Sequence, residues 1–127
     1  MNKIEKYSLP IEFPDNLLQK GIELESIGIN EIGWEYEYVI TVIEFICSRN
    51  YAILGGDVYS VKDNHFESTY DNWYLDKDEK ITWEEYVKSS KQKTLSYINN
   101  YHSKNKDGFI FVLVYTPQPS PSHDKLG

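Results

Sequence analysis

Apolar and polar residues alternate along this chain with two different periods. Val39, Val42, Ile43 and Ile46 recur at i, i+3, i+4 and i+7, which predicts a helix running from Trp34. Glu35 and Glu37 fall in its first turn and Arg49 at its end, each complementing the helix dipole. Thr82-Trp83-Glu84-Glu85 is a capping box, Thr at the N-cap and Glu at N3. Behind it Trp83, Tyr86, Val87, Ser90, Thr94, Tyr97, Ile98 and Tyr101 trace one helical face. Phe13 to Gly21 reads as a short helix, with Asp15 placed to cap it and Gly21 to stop it in a left-handed conformation. Gly21, Gly28 and Gly33 then punctuate a stretch without period, which predicts a connection with little regular structure.

The remaining segments read as strand. Asn50–Leu54 and Gly55–Val61 flank a Gly55-Gly56 pair, the mark of a bulge or tight bend. A backbone conformation hostile to β-branched side chains is expected at Gly56. Lys62-Asp63-Asn64-His65 is turn chemistry, and Tyr70–Leu75, with Trp73, is the next strand. Phe109–Tyr115 is apolar throughout, as a central buried strand should be. The order α-α-β-β-α-β predicts an α+β fold, a small and mostly antiparallel sheet of three to four strands with about three helices packed on it. Residues 1–116 are expected to form one domain. Pro117, Pro119 and Pro121 end regular structure and open a polar, Pro-rich tail over 117–127.

Composition narrows the function. At 127 residues, 40% hydrophobic and 15% aromatic, the chain has the apolar material for a core, which argues against disorder. A net charge of −7 is the wrong sign for gripping phosphate backbones, so no nucleic-acid partner is expected. The longest apolar run, Phe109–Tyr115, falls far short of the roughly 20 residues that span a bilayer. Met1–Tyr7 lacks the apolar segment of a secretory signal, and Cys47 is the one cysteine, so a cytoplasmic protein without disulfides is expected. The charge is unevenly spread. Between Glu12 and Ile46, Glu12, Asp15, Glu23, Glu25, Glu31, Glu35, Glu37 and Glu44 stand against Lys20 alone, whereas between Tyr86 and Lys106 Lys88, Lys91, Lys93, Lys104 and Lys106 occur without an acid among them. Such a field either belongs to ordinary solvated faces or steers a basic partner toward one side.

Catalytic and metal signatures fail on inspection. Gly55-Gly56-Asp57 continues as Val58-Tyr59 and does not complete a nucleotide-cyclase signature. Asp76-Lys77-Asp78 opens like a calcium loop, but Ile81 stands where glycine is needed and Val87 where glutamate is needed. His65, His102 and His123 share no ligand spacing with one another or with Cys47, so no metal or cofactor is expected. Cys47, beside Phe45 and Ile46, reads as a small buried side chain. No nucleophile elbow or phosphate loop occurs.

Several motifs in order resemble a known family. Ile53-Leu54-Gly55-Gly56-Asp57-Val58-Tyr59, Asn72-Trp73-Tyr74, Trp83-Glu84-Glu85-Tyr86-Val87-Lys88-Ser89-Ser90 and Tyr97-Ile98-Asn99-Asn100-Tyr101, with Gly33-Trp34 upstream, are similar to the immunity protein 40 family of bacterial polymorphic toxin systems. The resemblance covers about Leu17 to Val114 and leaves the tail out. It implies a non-enzymatic cytoplasmic protein that binds and neutralises a cognate toxin. Immunity proteins commonly turn acidic and aromatic surfaces to basic toxin domains, often nucleases, so a basic nuclease domain is one candidate partner. Asp57, Tyr59, Trp73, Asp76, Asp78 and Glu79 are the expected toxin-binding cluster, because they follow the bulge and strand ends where loops gather. Tyr70 and Tyr74 lie nearby, and tyrosine is a common interface residue. Two other readings remain: a different protein-binding or regulatory module of the same fold, and a small enzyme with carboxylates at Asp57, Asp71 and Asp76.

Overall fold

A computed structural model describes residues 2–120. Two one-turn helices, α1 (Lys3–Lys6) and α2 (Asp15–Leu18), precede strand β1 (Ile22–Glu23), a 3-10 turn at Glu25–Ile27 and strand β2 (Ile32–Glu35). Helix α3 (Tyr36–Ser48), the hairpin of β3 (Ala52–Lys62) and β4 (His65–Tyr74), helix α4 (Trp83–Asn105) and strand β5 (Phe109–Thr116) follow. The strands form one antiparallel sheet in the order β1-β2-β5-β3-β4. The apolar β5 lies between β2 and β3, so neighbours cover both its edges.

Helices α3 and α4 cover one face of this sheet. Val39, Val42, Ile43 and Ile46 of α3 are wholly buried, each contributing about 1.5–3 kcal/mol of apolar burial. They meet Trp34, Ile53, Val58 and Phe111 of the sheet in one core. The capping box of α4 is complete: Glu85 N–H donates to Thr82 Oγ1 at 3.1 Å, and Thr82 N–H donates to Glu85 Oε1 at 2.9 Å. On its buried stripe the two small polar residues serve the sheet. Ser90 Oγ accepts from Ile53 N–H at 3.0 Å, and Thr94 Oγ1 accepts from Trp73 Nε1–H at 3.0 Å. Both donors would otherwise be buried without a partner.

The structure differs from the expected order at several points. The Gly21–Gly33 stretch contains β1, the 3-10 turn and the start of β2. Trp34 and Glu35 end β2, and α3 begins only at Tyr36, because Trp34 pairs across to Phe111. Among the described residues the sheet has five strands and four α-helices accompany it, one of them the unforeseen α1, whose N-cap Asn2 accepts from Glu5 N–H at 2.9 Å. Asp15 does not cap α2; Pro14 occupies that position and Asp15 starts the first turn. β4 begins five residues earlier than Tyr70, at His65, after a tight turn in which Asp63 and Asn64 have φ of 50° and 65°. β3 is one continuous strand, with register shifts between Ile53 and Gly55 against β5 and between Asp57 and Tyr59 against β4.

Gly56 is needed for a different reason from the expected one. Its φ is not positive. A Cβ there would lie 2.3 Å from Trp73 Cη2 and 2.4 Å from the Val112 carbonyl oxygen, so the ring and the neighbouring strand exclude any side chain. Residues 117–120 carry no regular structure, and Pro121, His123 and the rest of the expected tail lie outside the described residues.

Candidate functional site

Strand alternation sends Trp73 and Val58 toward the helices, so Asp57, its partners Val112 and Asn72, and the Gly55–Val114–Tyr74 row face the other way. One end of this helix-free face is covered. Leu24, with Ile22 and Ile29 beside it, packs onto Tyr59, Ile110 and Val112 in a second small core. The other end is open among the described residues. Val114, on a central strand, is 39% exposed, and Tyr74 is 67% exposed. A groove of about 480 Å³ runs here, bounded by Leu54, Asp57, Tyr74, Asp76 and Val114, with the backbone of Gly55 and Gly56 as its floor. A second hollow of about 290 Å³ shares Val114 and is lined by Tyr7 and Glu31.

Glu31, Asp57 and Asp76 make the open end acidic, with Lys6 lining the second hollow beside Glu31. Burial pushes the Glu31 carboxyl above the usual range, and the negative charge of Asp57 pushes it further. Burial also raises Tyr59, with Asp57 and then Glu31 adding to it. The ion pairs among the described residues join Lys3 and Lys6 to Glu23, Lys6 to Glu25, Arg49 to Glu12 and Lys91 to Glu44. None involves Glu31, Asp57 or Asp76. Lys93, at the rim, is held by Tyr74: its Nζ donates to the Tyr74 carbonyl at 2.5 Å and lies 5.5 Å over the ring centre.

Of the expected cluster, Asp57 and Asp76 line this groove together. Asp78 and Glu79 are exposed on the loop that follows Asp76, where Asp78 Oδ1 accepts from Lys80 N–H at 2.8 Å. Tyr59 lies on the same face but at its covered end. Trp73 lines the groove, yet its ring is on the helix side, stacked 4.7 Å from Tyr97 and only 5% exposed. Glu31 and Val114 were not among the expected residues. An all-apolar strand hides which of its side chains face outward, and Glu31 is one of eight acids in its region. Tyr70, 88% exposed with φ of 65°, lies in the irregular part of β4 and does not line the groove.

Other chemistry is not assembled here. Asp71 accepts from the Tyr101 hydroxyl of α4 at 2.9 Å, which places it on the helix side, opposite Asp57. The Cys47 thiol is half-buried and pushed up to about 11 by burial, so thiolate is scarce at neutral pH. Among the described residues, no three His, Cys, Asp or Glu side chains are grouped to hold a metal ion. No helix among them is long and apolar enough to cross a membrane.

The described residues form a two-layer α+β structure whose helix-free sheet face is open at one end. The chain belongs to the immunity protein 40 family, whose model matches residues 23–115. That span runs from β1 into β5 and includes the whole groove. No curated protein and no solved structure matches the chain significantly.

Proposed function

We propose that this protein is the immunity partner of a polymorphic toxin, which it binds and neutralises in the cytoplasm without catalysis. Family membership over residues 23–115 supports the class. The observation that carries the binding mode is the open end of the helix-free face, acidic at Glu31, Asp57 and Asp76 and aromatic at Tyr74. A basic toxin domain, of which a nuclease is one example, is the partner whose charge complements it. Asp57, Asp76, Asp78 and Glu79 contribute the field, and the groove between Tyr74 and Val114 contributes contact area. An inhibitor present at low copy number needs nanomolar affinity or better, about −12 kcal/mol. Co-expression with the open reading frame immediately upstream tests the reading. Growth that this chain restores supports it, and a neighbour that is toxic but is neither bound nor neutralised overturns it.

A further inference from the structure

The geometry points to the open end of the helix-free face as the docking surface for a basic protein segment, with an arginine side chain seated over Val114 between Glu31 and Asp57. This rests on the neutralisation reading and gives it a partner chemistry.

Three observations lead to that occupant. First, the face is half covered. Leu24 and its neighbours seal Tyr59, Ile110 and Val112, while Val114, two residues along the same central strand, is left 39% exposed beside Gly55, which has no side chain to shield it. Val114 and the exposed Tyr74 ring in register with the same glycine make a short apolar strip in mid-sheet that another chain can cover. Second, the floor is fixed. A Cβ at Gly55, the glycine in register with Val114, would lie 2.2 Å from the Trp73 carbonyl oxygen, so packing keeps the groove low at this point. Third, the unpaired charge beside the strip is acidic, because the cations at its edges are engaged: Lys6 pairs with Glu23 and Glu25, and Lys93 donates to the Tyr74 carbonyl. Glu31 and Asp57 repel across the strip, Glu31 is part-buried, and no ion pair among the described residues engages either. An incoming cation removes that repulsion, so its contact with both carboxylates outweighs one with an isolated acid. Arginine fits better than lysine. Its aliphatic stem covers Val114, and its planar head pairs with carboxylates in two-pronged fashion.

The test is an amide-resolved NMR titration of the full chain with Nα-acetyl-arginine N-methylamide at low salt, with the norleucine analogue as the uncharged control. Saturable shifts at Gly55, Asp57 and Val114 are expected from the arginine probe and not from norleucine. The Glu31→Gln/Asp57→Asn double variant, checked for a native spectrum, is expected to weaken binding about tenfold or more. Equal shifts from both probes, or shifts spread over Glu12, Glu37 and Glu44, would overturn the proposal. So would shifts that depend on protein concentration without a probe, because a second copy would then occupy the face. Growth rescue keeps the two readings apart. A wild-type chain that rescues, with a double variant that rescues and binds equally well, overturns this docking site and leaves neutralisation standing. A failed rescue with saturable arginine binding overturns neutralisation instead.

Discussion

Gly56 shows how one missing side chain lets the helix side of the sheet close. The Trp73 ring crosses β3 at this point, held by its Nε1–H bond to Thr94 and by its stack on Tyr97. Gly56→Ala is expected to cost about 1–3 kcal/mol through overpacking, read as a lower urea midpoint with an unchanged slope. Thr94→Val keeps the shape but leaves the Trp73 donor buried and unpaired, and about 1–3 kcal/mol is expected by the same measurement. An unchanged midpoint in Thr94→Val would mean that water reaches Trp73 Nε1. The glycine pair and the Thr94 position on a helical stripe are both visible in the sequence. Their reasons are not, since a contact between Gly56 and Trp73 exists only once β3 and β4 pair in the observed register. The same holds for Asp57, whose repulsion with Glu31 arises across β5.

Among the elements, α4 ties the sheet to the rest of the core, and its start is set by a local signal. Thr82→Ala removes the N-cap and is expected to cost about 1 kcal/mol. Trp83→Ala is expected to cost about 3–5 kcal/mol, because the ring is 8% exposed in a cluster with Ala52, Tyr86 and Val87 and its Nε1 donates to the Asn50 carbonyl at 2.8 Å. Thermal denaturation of the two variants checks the ranking, and a smaller loss for Trp83→Ala would place that ring outside the core. The helices α3 and α4 and the strand β5 are legible because each follows one period, or none, for its whole length. β1 and β2 are not. β1 is two residues long, and β2 passes into α3 without a connecting turn, so Trp34 merges with the helical pattern. The first half of β4 is hidden for another reason. As an edge strand it is exposed or half-exposed at every position from His65 to Asn72, and no apolar alternation marks it.

Across the whole molecule, the uneven charge of the sequence becomes an arrangement of layers. Lys88 and Lys104 are exposed along α4, while Glu31, Asp57 and Asp76 border the helix-free side, where Lys6 and Lys93 are engaged by Glu23 and Glu25 and by Tyr74. The basic partner proposed above would be steered toward that side of the sheet. That arrangement costs stability in the free protein, and Glu31 is where the cost can be read. Burial first and Asp57 second raise its folded-state carboxyl above the ordinary value of 4.5. The folded state thus holds the Glu31 proton more tightly than the unfolded chain does. Glu31 destabilises the fold above its raised value, and the penalty fades as pH falls through that value toward the ordinary one. Glu31→Gln is accordingly expected to raise the Tm at pH 7, with the gain shrinking to nothing by about pH 3.5, below the usual glutamate range. Glu23 behaves oppositely. The Tyr7 hydroxyl donates to it at 2.7 Å and holds its carboxyl below the ordinary value, so its contribution is lost on acidification. The wild type and the Glu31→Gln variant both carry Glu23, so that loss cancels when their Tm values are compared at the same pH. Calorimetry of the pair at the neutral and the acidic pH decides the matter. A Tm gain that persists undiminished in acid would show that the substitution acts through packing, and that the repulsion between Glu31 and Asp57 is too weak to select a cationic partner.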